Sequence, residues 1–180
     1  MINSKVAIDH VGLSVPDLDQ AVDFFVDVFG CEVVLHAGPY DDFGYVWPGD
    51  TGPEKATLRL AVLRHGDSHN IELLEYSDRS VGELPAAPRP ADPGGMHLAF
   101  YVEDIYEVER QLKQRDDIRF LCPVVREEGG PLDGLDWAYL LTPWGLVIEL
   151  LRWRPGQMPY EATTAKRMVP PPWLRPGGAR

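Results

Sequence analysis

Two histidines and two glutamates recur in matching surroundings. His10 opens the run His10-Val11-Gly12-Leu13-Ser14-Val15-Pro16-Asp17-Leu18, which lines up without gaps on His97-Leu98-Ala99-Phe100-Tyr101-Val102-Glu103-Asp104-Ile105. Glu72 sits in Ile71-Glu72-Leu73-Leu74-Glu75-Tyr76, and Glu149 in Ile148-Glu149-Leu150-Leu151-Arg152-Trp153, each at a similar interval from its histidine. A carboxylate between Ile and Leu in a central strand is costly when buried unpaired, so two of them at symmetric positions call for a cation. Neutral imidazole with carboxylate is the donor mix that suits Zn, Ni, Co, Mn or Fe(II). One divalent metal held by His10, Glu72, His97 and Glu149 is therefore expected.

Side chains alternate across a strand, so residues two apart share a face. In the first run Val11, Leu13 and Val15 form the apolar row for a helix to cover, which leaves His10, Gly12 and Ser14 on the opposite face. Leu98, Phe100 and Val102 stand to His97, Ala99 and Tyr101 in the same relation. Ile71 and Leu73 oppose Glu72 and Leu74, and Ile148 and Leu150 oppose Glu149 and Leu151. In each half the glutamate thus shares the helix-free face with the histidine. Glu75 has the opposite parity to Glu72 and reads as a strand-end charge. His36 reads as a strand end, and His65 and His69 as solvated residues flanking a turn.

The elements that must position these donors form one module used twice. In the first copy Val6–Val15 alternates as a strand, and Asp17–Phe29 carries apolar residues at helical spacing, with Asp17 as N-cap and Gly30 as stop. Strands are expected at Cys31–Ala37, Thr57–Arg64 and Asn70–Tyr76, giving βαβββ. The second copy repeats the order through Met96–Val102, a helix over Asp104–Arg115, then Ile118–Val125, Asp136–Leu141 and Leu146–Trp153. The modules span residues 1–81 and 96–154. The prolines of 82–95 forbid helix and central strand and mark a linker, and 155–180 is a Pro-rich C-terminal arm.

Composition narrows the function. The chain has 180 residues, 44% of them hydrophobic and 25% charged, as a folded domain requires. A formal net charge of −11 with scattered Lys and Arg excludes the electrostatic footprint of a nucleic-acid binder. No apolar run approaches the ~18–20 residues needed to span a bilayer, and the N-terminus does not read as a signal peptide, so a cytoplasmic protein is expected. Cys31 and Cys122 lie in apolar surroundings without C-x-x-C spacing and read as reduced core residues.

The stretches Ile-Asp-His-Val-Gly-Leu-Ser-Val-Pro-Asp-Leu, Asn-Ile-Glu-Leu-Leu-Glu-Tyr, Gly-Met-His-Leu-Ala-Phe-Tyr-Val-Glu-Asp-Ile and Thr-Pro-Trp-Gly-Leu-Val-Ile-Glu-Leu resemble the vicinal oxygen chelate superfamily. That superfamily includes glyoxalase I, methylmalonyl-CoA epimerase, extradiol dioxygenases and bleomycin-resistance proteins. The likeness covers about residues 6–153. It implies an α+β fold in which two tandem βαβββ modules form a curved mixed sheet around a metal-containing cavity, with His10, Glu72, His97 and Glu149 on the usual ligand positions. The turn at Trp144-Gly145 departs from the family's frequent Asp-Pro-Asp-Gly.

Four protein donors around an octahedral metal leave two adjacent positions for a chelating substrate. The resemblance then implies an isomerase, epimerase or glyoxalase-type lyase. The metal stabilises an enolate or enediolate, and Glu72 or Glu149 moves the proton next to the carbonyl. An Fe(II) extradiol dioxygenase using His10, His97 and Glu149 is the alternative enzyme, disfavoured by the fourth donor Glu72. A metal-free ligand-sequestering protein of the bleomycin-resistance kind is the non-enzymatic alternative, disfavoured by the complete donor set. Tyr101, Trp137 and Tyr139 are candidate pocket residues, as are Tyr45, Trp47 and Trp153, with Arg59 a candidate partner for an anionic group. The acidic chain shows no basic cluster for glutathione or coenzyme A, which points to a smaller polyol, keto-sugar or hydroxy-ketone. The expected partners are a small-molecule substrate and a second copy in a homodimer, not nucleic acid or membrane.

Overall fold

The structure, a computed structural model, describes residues 8–41, 57–66, 69–76 and 91–154. Tyr45, Trp47, most of the expected linker and the whole C-terminal arm lie outside the described residues. The described chain forms two compact units, one holding residues up to 76 and the other those from 91.

In the first unit β1 (Val11–Ser14) leads into α1 (Leu18–Phe29), followed by β2 (Glu32–Tyr40), β3 (Leu58–His65) and β4 (His69–Tyr76). The helix begins where Asp17 accepts a hydrogen bond from Gln20 N, and it ends at Gly30, whose left-handed φ of 66° closes the last turn onto Phe25 and Val26. Its apolar face buries Leu18, Ala21, Val22, Phe24 and Phe25. That face belongs to a core with Leu13, Val15, Ala61, Leu63, Ile71 and Leu73, in which a wholly buried Phe25 contributes about 1.5–3 kcal/mol. The sheet order is β1-β4-β3-β2, with β1 parallel to β4 and the other pairs antiparallel. Val11, at the start of the edge strand β1, is exposed rather than part of the apolar row. His36 lies within β2, and His65 and His69 face each other as the last and first residues of β3 and β4.

The second unit runs β5 (His97–Tyr101), α2 (Ile105–Leu112), β6 (Arg119–Phe120), β7 (Val125–Arg126), a 3-10 turn (Gly130–Leu132), β8 (Leu135–Leu141) and β9 (Val147–Trp153). Asp104 caps α2 by accepting from Tyr106 N and Glu107 N. The sheet order is β5-β9-β8-β6, with β7 also on β8 and β5 parallel to β9. One strand was expected over Ile118–Val125. The chain instead makes two short pairings, because Pro123 between them has no N–H to give to a ladder. The core here is Phe100, Ile105, Leu112, Ala138, Leu140, Ile148 and Leu150.

The two units therefore repeat one α+β module built on a mixed sheet. Among the described residues no helix is long and apolar enough to cross a membrane. Cys31 and Cys122 are free thiols, and burial pushes the Cys31 thiol up to about 11, which makes it unreactive as a thiolate.

Candidate metal centre

The strand register brings each histidine to its own glutamate. Val11 stands beside Ile71 and Gly12 beside Glu72, so His10, two residues before Gly12, projects onto the same face as Glu72. His10 Nε2 lies 3.1 Å from Glu72 Oε2. In the second unit Ala99 stands beside Glu149, and His97 Nε2 lies 3.2 Å from Glu149 Oε2. Both glutamate side chains are mostly buried, at 20% and 15% exposure, while the histidines are more open.

The other nitrogen of His10 is also engaged. Asp9 Oδ2 lies 3.0 Å from Nδ1, and this hydrogen bond, with the nearby Glu72 charge, holds the imidazole above its ordinary pKa. An Nδ1 proton bound by a carboxylate fixes the tautomer and turns Nε2 toward a metal as acceptor. Sequence reading did not single out Asp9, although its place immediately before His10 is the signal that could have found it. The corresponding residue before His97 is Met96.

The donor set fits a divalent metal. Two ligand atoms held at right angles about 2.0–2.2 Å from one ion stand about 3 Å apart. Both histidine–glutamate separations match that spacing, and nitrogen with carboxylate oxygen suits first-row divalent cations. Among the described residues, no third His, Cys, Asp or Glu joins either pair into a cluster of three.

Of the aromatic residues singled out from sequence, Tyr101, Trp137 and Tyr139 share the Glu149 face. Tyr139 is the cross-strand partner of Glu149, and Trp137 is that of Leu151. Burial, the Glu149 charge and a hydrogen bond to Glu149 keep the Tyr139 phenol protonated above its ordinary range. The Tyr139 ring meets His97 edge-on at 5.6 Å and Trp137 at 5.4 Å. Trp137 Nε1 donates to Glu127 Oε1 at 2.8 Å. Tyr101 is also on this face, with its hydroxyl 3.5 Å from the Trp153 carbonyl.

Arg59 is placed differently from the pocket position expected for it. It is the cross-strand partner of Glu75, on the face that α1 covers, whereas Glu72 pairs with Val62 on the other face. Its guanidinium reaches Asp19 at 2.7 Å and Glu75 at 3.3 Å. Glu75 in turn accepts from Leu18 N at 3.1 Å, which makes it a second cap of α1 rather than a loose strand-end charge.

Comparison with known proteins agrees with this architecture. Residues 9–131 match the Glyoxalase/Bleomycin resistance protein/Dioxygenase superfamily. A 2-epi-5-epi-valiolone epimerase from Actinomyces sp. is 35% identical over 170 residues, covering 94% of this chain and 91% of that protein. Among solved structures, a glyoxalase family protein from Bacillus cereus has a TM-score of 0.69 at 23% identity, covering 85% of this chain and 98% of its own. The trypanothione-dependent glyoxalase I of Leishmania major gives 0.51 at 22% identity, over 82% and 87% of the two chains. At such identities the structural likeness speaks for the fold, while the matched family region and the epimerase relative speak for descent. With its duplicated module and a histidine–glutamate pair in each copy, the chain belongs to the glyoxalase/bleomycin resistance protein/dioxygenase superfamily.

Proposed function

We propose that the protein is a divalent-metal-dependent epimerase that inverts a carbon next to the carbonyl of a small polyhydroxylated ketone. The observation that carries this reading is the pair of His–Glu contacts at 3.1 and 3.2 Å, one per repeat, each on the face its helix leaves open. His10, Glu72, His97 and Glu149 would hold the metal. When bound, such a cation supplies Lewis-acid polarisation of the substrate carbonyl.

The remaining work falls to the protein's own groups. A glutamate takes the proton from the carbon beside the carbonyl, and the electron pair of the broken C–H bond shifts toward the carbonyl oxygen. Return of a proton to the opposite side of that carbon completes the inversion. Tyr101, Trp137 and Tyr139 offer ring faces and hydroxyls for a polyol to lie against. A neutral substrate fits the charge distribution, since Arg59, the cation that could have met an anionic group, is committed to Asp19 and Glu75.

A relative 35% identical and named 2-epi-5-epi-valiolone epimerase supports both the reaction type and that ketone as first substrate to test. An extradiol dioxygenase would leave Glu72 outside its donor set. Glu72 instead approaches His10 as closely as Glu149 approaches His97, which favours the four-donor reading.

The test is incubation of the protein with 2-epi-5-epi-valiolone in deuterated water, following exchange at the carbon next to the ketone by NMR. Exchange and inversion are expected with Co(II) or Zn(II) present and are expected to stop after chelation. Glu149→Gln should lose both metal and turnover while keeping its circular dichroism spectrum. Undiminished exchange in the stripped protein would remove the metal from the proposal.

A further inference from the structure

The open face of the second unit carries an arginine that the donor set does not use. On β6 and β8, Arg119 pairs with Leu141 and Phe120 with Leu140. Leu140 is wholly buried in the core under α2, and the ammonium of Lys113, at the end of that helix, lies over the Phe120 ring. Phe120 therefore faces the helix, and Arg119 turns the other way, onto the face of Glu149, Tyr139 and Leu141. Arg119 is exposed there. The other strand arginines of the unit, Arg126 and Arg152, both bind Asp136 on the helix-bearing face. Among the described strand residues of the second unit, Arg119 is thus the only Arg or Lys on the Glu149 face.

The sheet sets how far this cation stands from the metal donors. Tyr139 is across from Glu149, Leu141 lies two residues further along β8, and Arg119 is across from Leu141. With strands ~4.8 Å apart and a rise of ~3.4 Å per residue, the backbones of Glu149 and Arg119 are separated by roughly 12 Å. A glutamate side chain reaches in from one end of that span and an arginine side chain from the other, so the gap between the two heads suits a single hydroxylated ring. The row Trp137, Tyr139, Leu141 then has an acceptor at one end, the Glu127 carboxylate bonded to Trp137 Nε1, and a donor at the other, Arg119.

We propose that Arg119 is a specificity-determining residue whose guanidinium donates to substrate hydroxyl oxygens on carbons remote from the carbonyl. This rests on the epimerase reading given above. An arginine head offers five N–H donors in a planar fork and no acceptor, which matches two neighbouring hydroxyl oxygens. A phosphate or a coenzyme tail calls for several cations together, and one guanidinium across from a leucine is not such a cluster.

The test compares 2-epi-5-epi-valiolone with 2-hydroxycyclohexanone, a hydroxy-ketone that lacks any further hydroxyl. The full chain supplied with Co(II) is assayed for deuterium exchange on both ketones, and calorimetry gives the dissociation constant of each. Arg119→Gln leaves the core intact because the residue is exposed. It is expected to cut the preference for the polyol, taken as the ratio of the two kcat/KM values, by about tenfold or more, the effect of losing one hydrogen bond from a charged donor. The loss should appear in KM and in the dissociation constant of the polyol rather than in kcat, because a group remote from the reacting carbon holds the substrate equally before and during proton transfer. An unchanged preference in a variant with the parental circular dichroism spectrum would overturn the role of Arg119. So would inorganic phosphate that competes with the polyol in the parent and not in the variant, since Arg119 would then be an anion site. A parent chain that exchanges neither ketone would bring down the epimerase reading first, and the role of Arg119 with it.

Discussion

Asp136 is wholly buried, and its carboxylate survives there because two guanidinium groups face it. Arg126 Nε donates at 2.9 Å and Arg152 Nη1 donates at 3.0 Å, while the Arg126 head also reaches the Tyr106 hydroxyl and lies over its ring. The Arg126 hydrogen bond does most to hold the Asp136 carboxyl below its ordinary pKa, against the opposing cost of burial. A carboxylate whose folded pKa is depressed contributes stability that is complete above the unfolded value. That stability is lost as the pH falls through the folded one. Asp136→Asn should therefore lower unfolding free energy near neutral pH by about 1.5–3 kcal/mol, the worth of hydrogen bonds to charged groups. It should also flatten the acid side of the stability–pH curve below the ordinary carboxylate range. Urea melts across that range check both effects, and a parallel loss in parent and variant would show that Asp136 is not the titrating group.

At the level of elements, the same salt-bridge position recurs with its charges exchanged. Arg59 on β3 faces Glu75 on β4, and Asp136 on β8 faces Arg152 on β9, at corresponding places in the two modules. Both pairs lie on the helix-bearing face, and both reach toward the start of a helix, Glu75 through Leu18 N and Arg152 through the Glu103 carbonyl. Strand parity was readable from sequence because the rows Leu13–Val15, Ile71–Leu73 and Ile148–Leu150 show which face each strand must bury. This placed His10, Glu72, His97 and Glu149 together within their units. The role of Arg59 was not readable that way, because it depends on cross-strand register with Glu75 and on a contact with Asp19 forty residues away. Pro123 was visible, yet the apolar run around it outweighed it in the strand assignment. Arg59→Ala should accordingly cost about 1 kcal/mol or less, as half-exposed ion pairs do, and leave KM for the ketone unchanged. A rise in KM with unchanged stability would instead return Arg59 to the substrate pocket.

For the whole molecule, the question is whether two His–Glu pairs serve one ion or two. Neither pair is joined by a third donor among the described residues, and two protein ligands alone make a weak site for a first-row cation. One shared ion therefore predicts a stoichiometry of one Co(II) per chain. His10→Ala in the first module and His97→Ala in the second should each remove that same binding event. Since metal that binds only the folded state stabilises by mass action, an ion at a hundred times its dissociation constant adds about 2.7 kcal/mol. The parent chain should then show an upward shift of its thermal midpoint on adding Co(II), and both histidine variants should lose the shift together. Two Co(II) per chain, with each variant losing only one, would mean that each module carries its own ion and would overturn the four-donor centre, although each unit's fold would be unaffected.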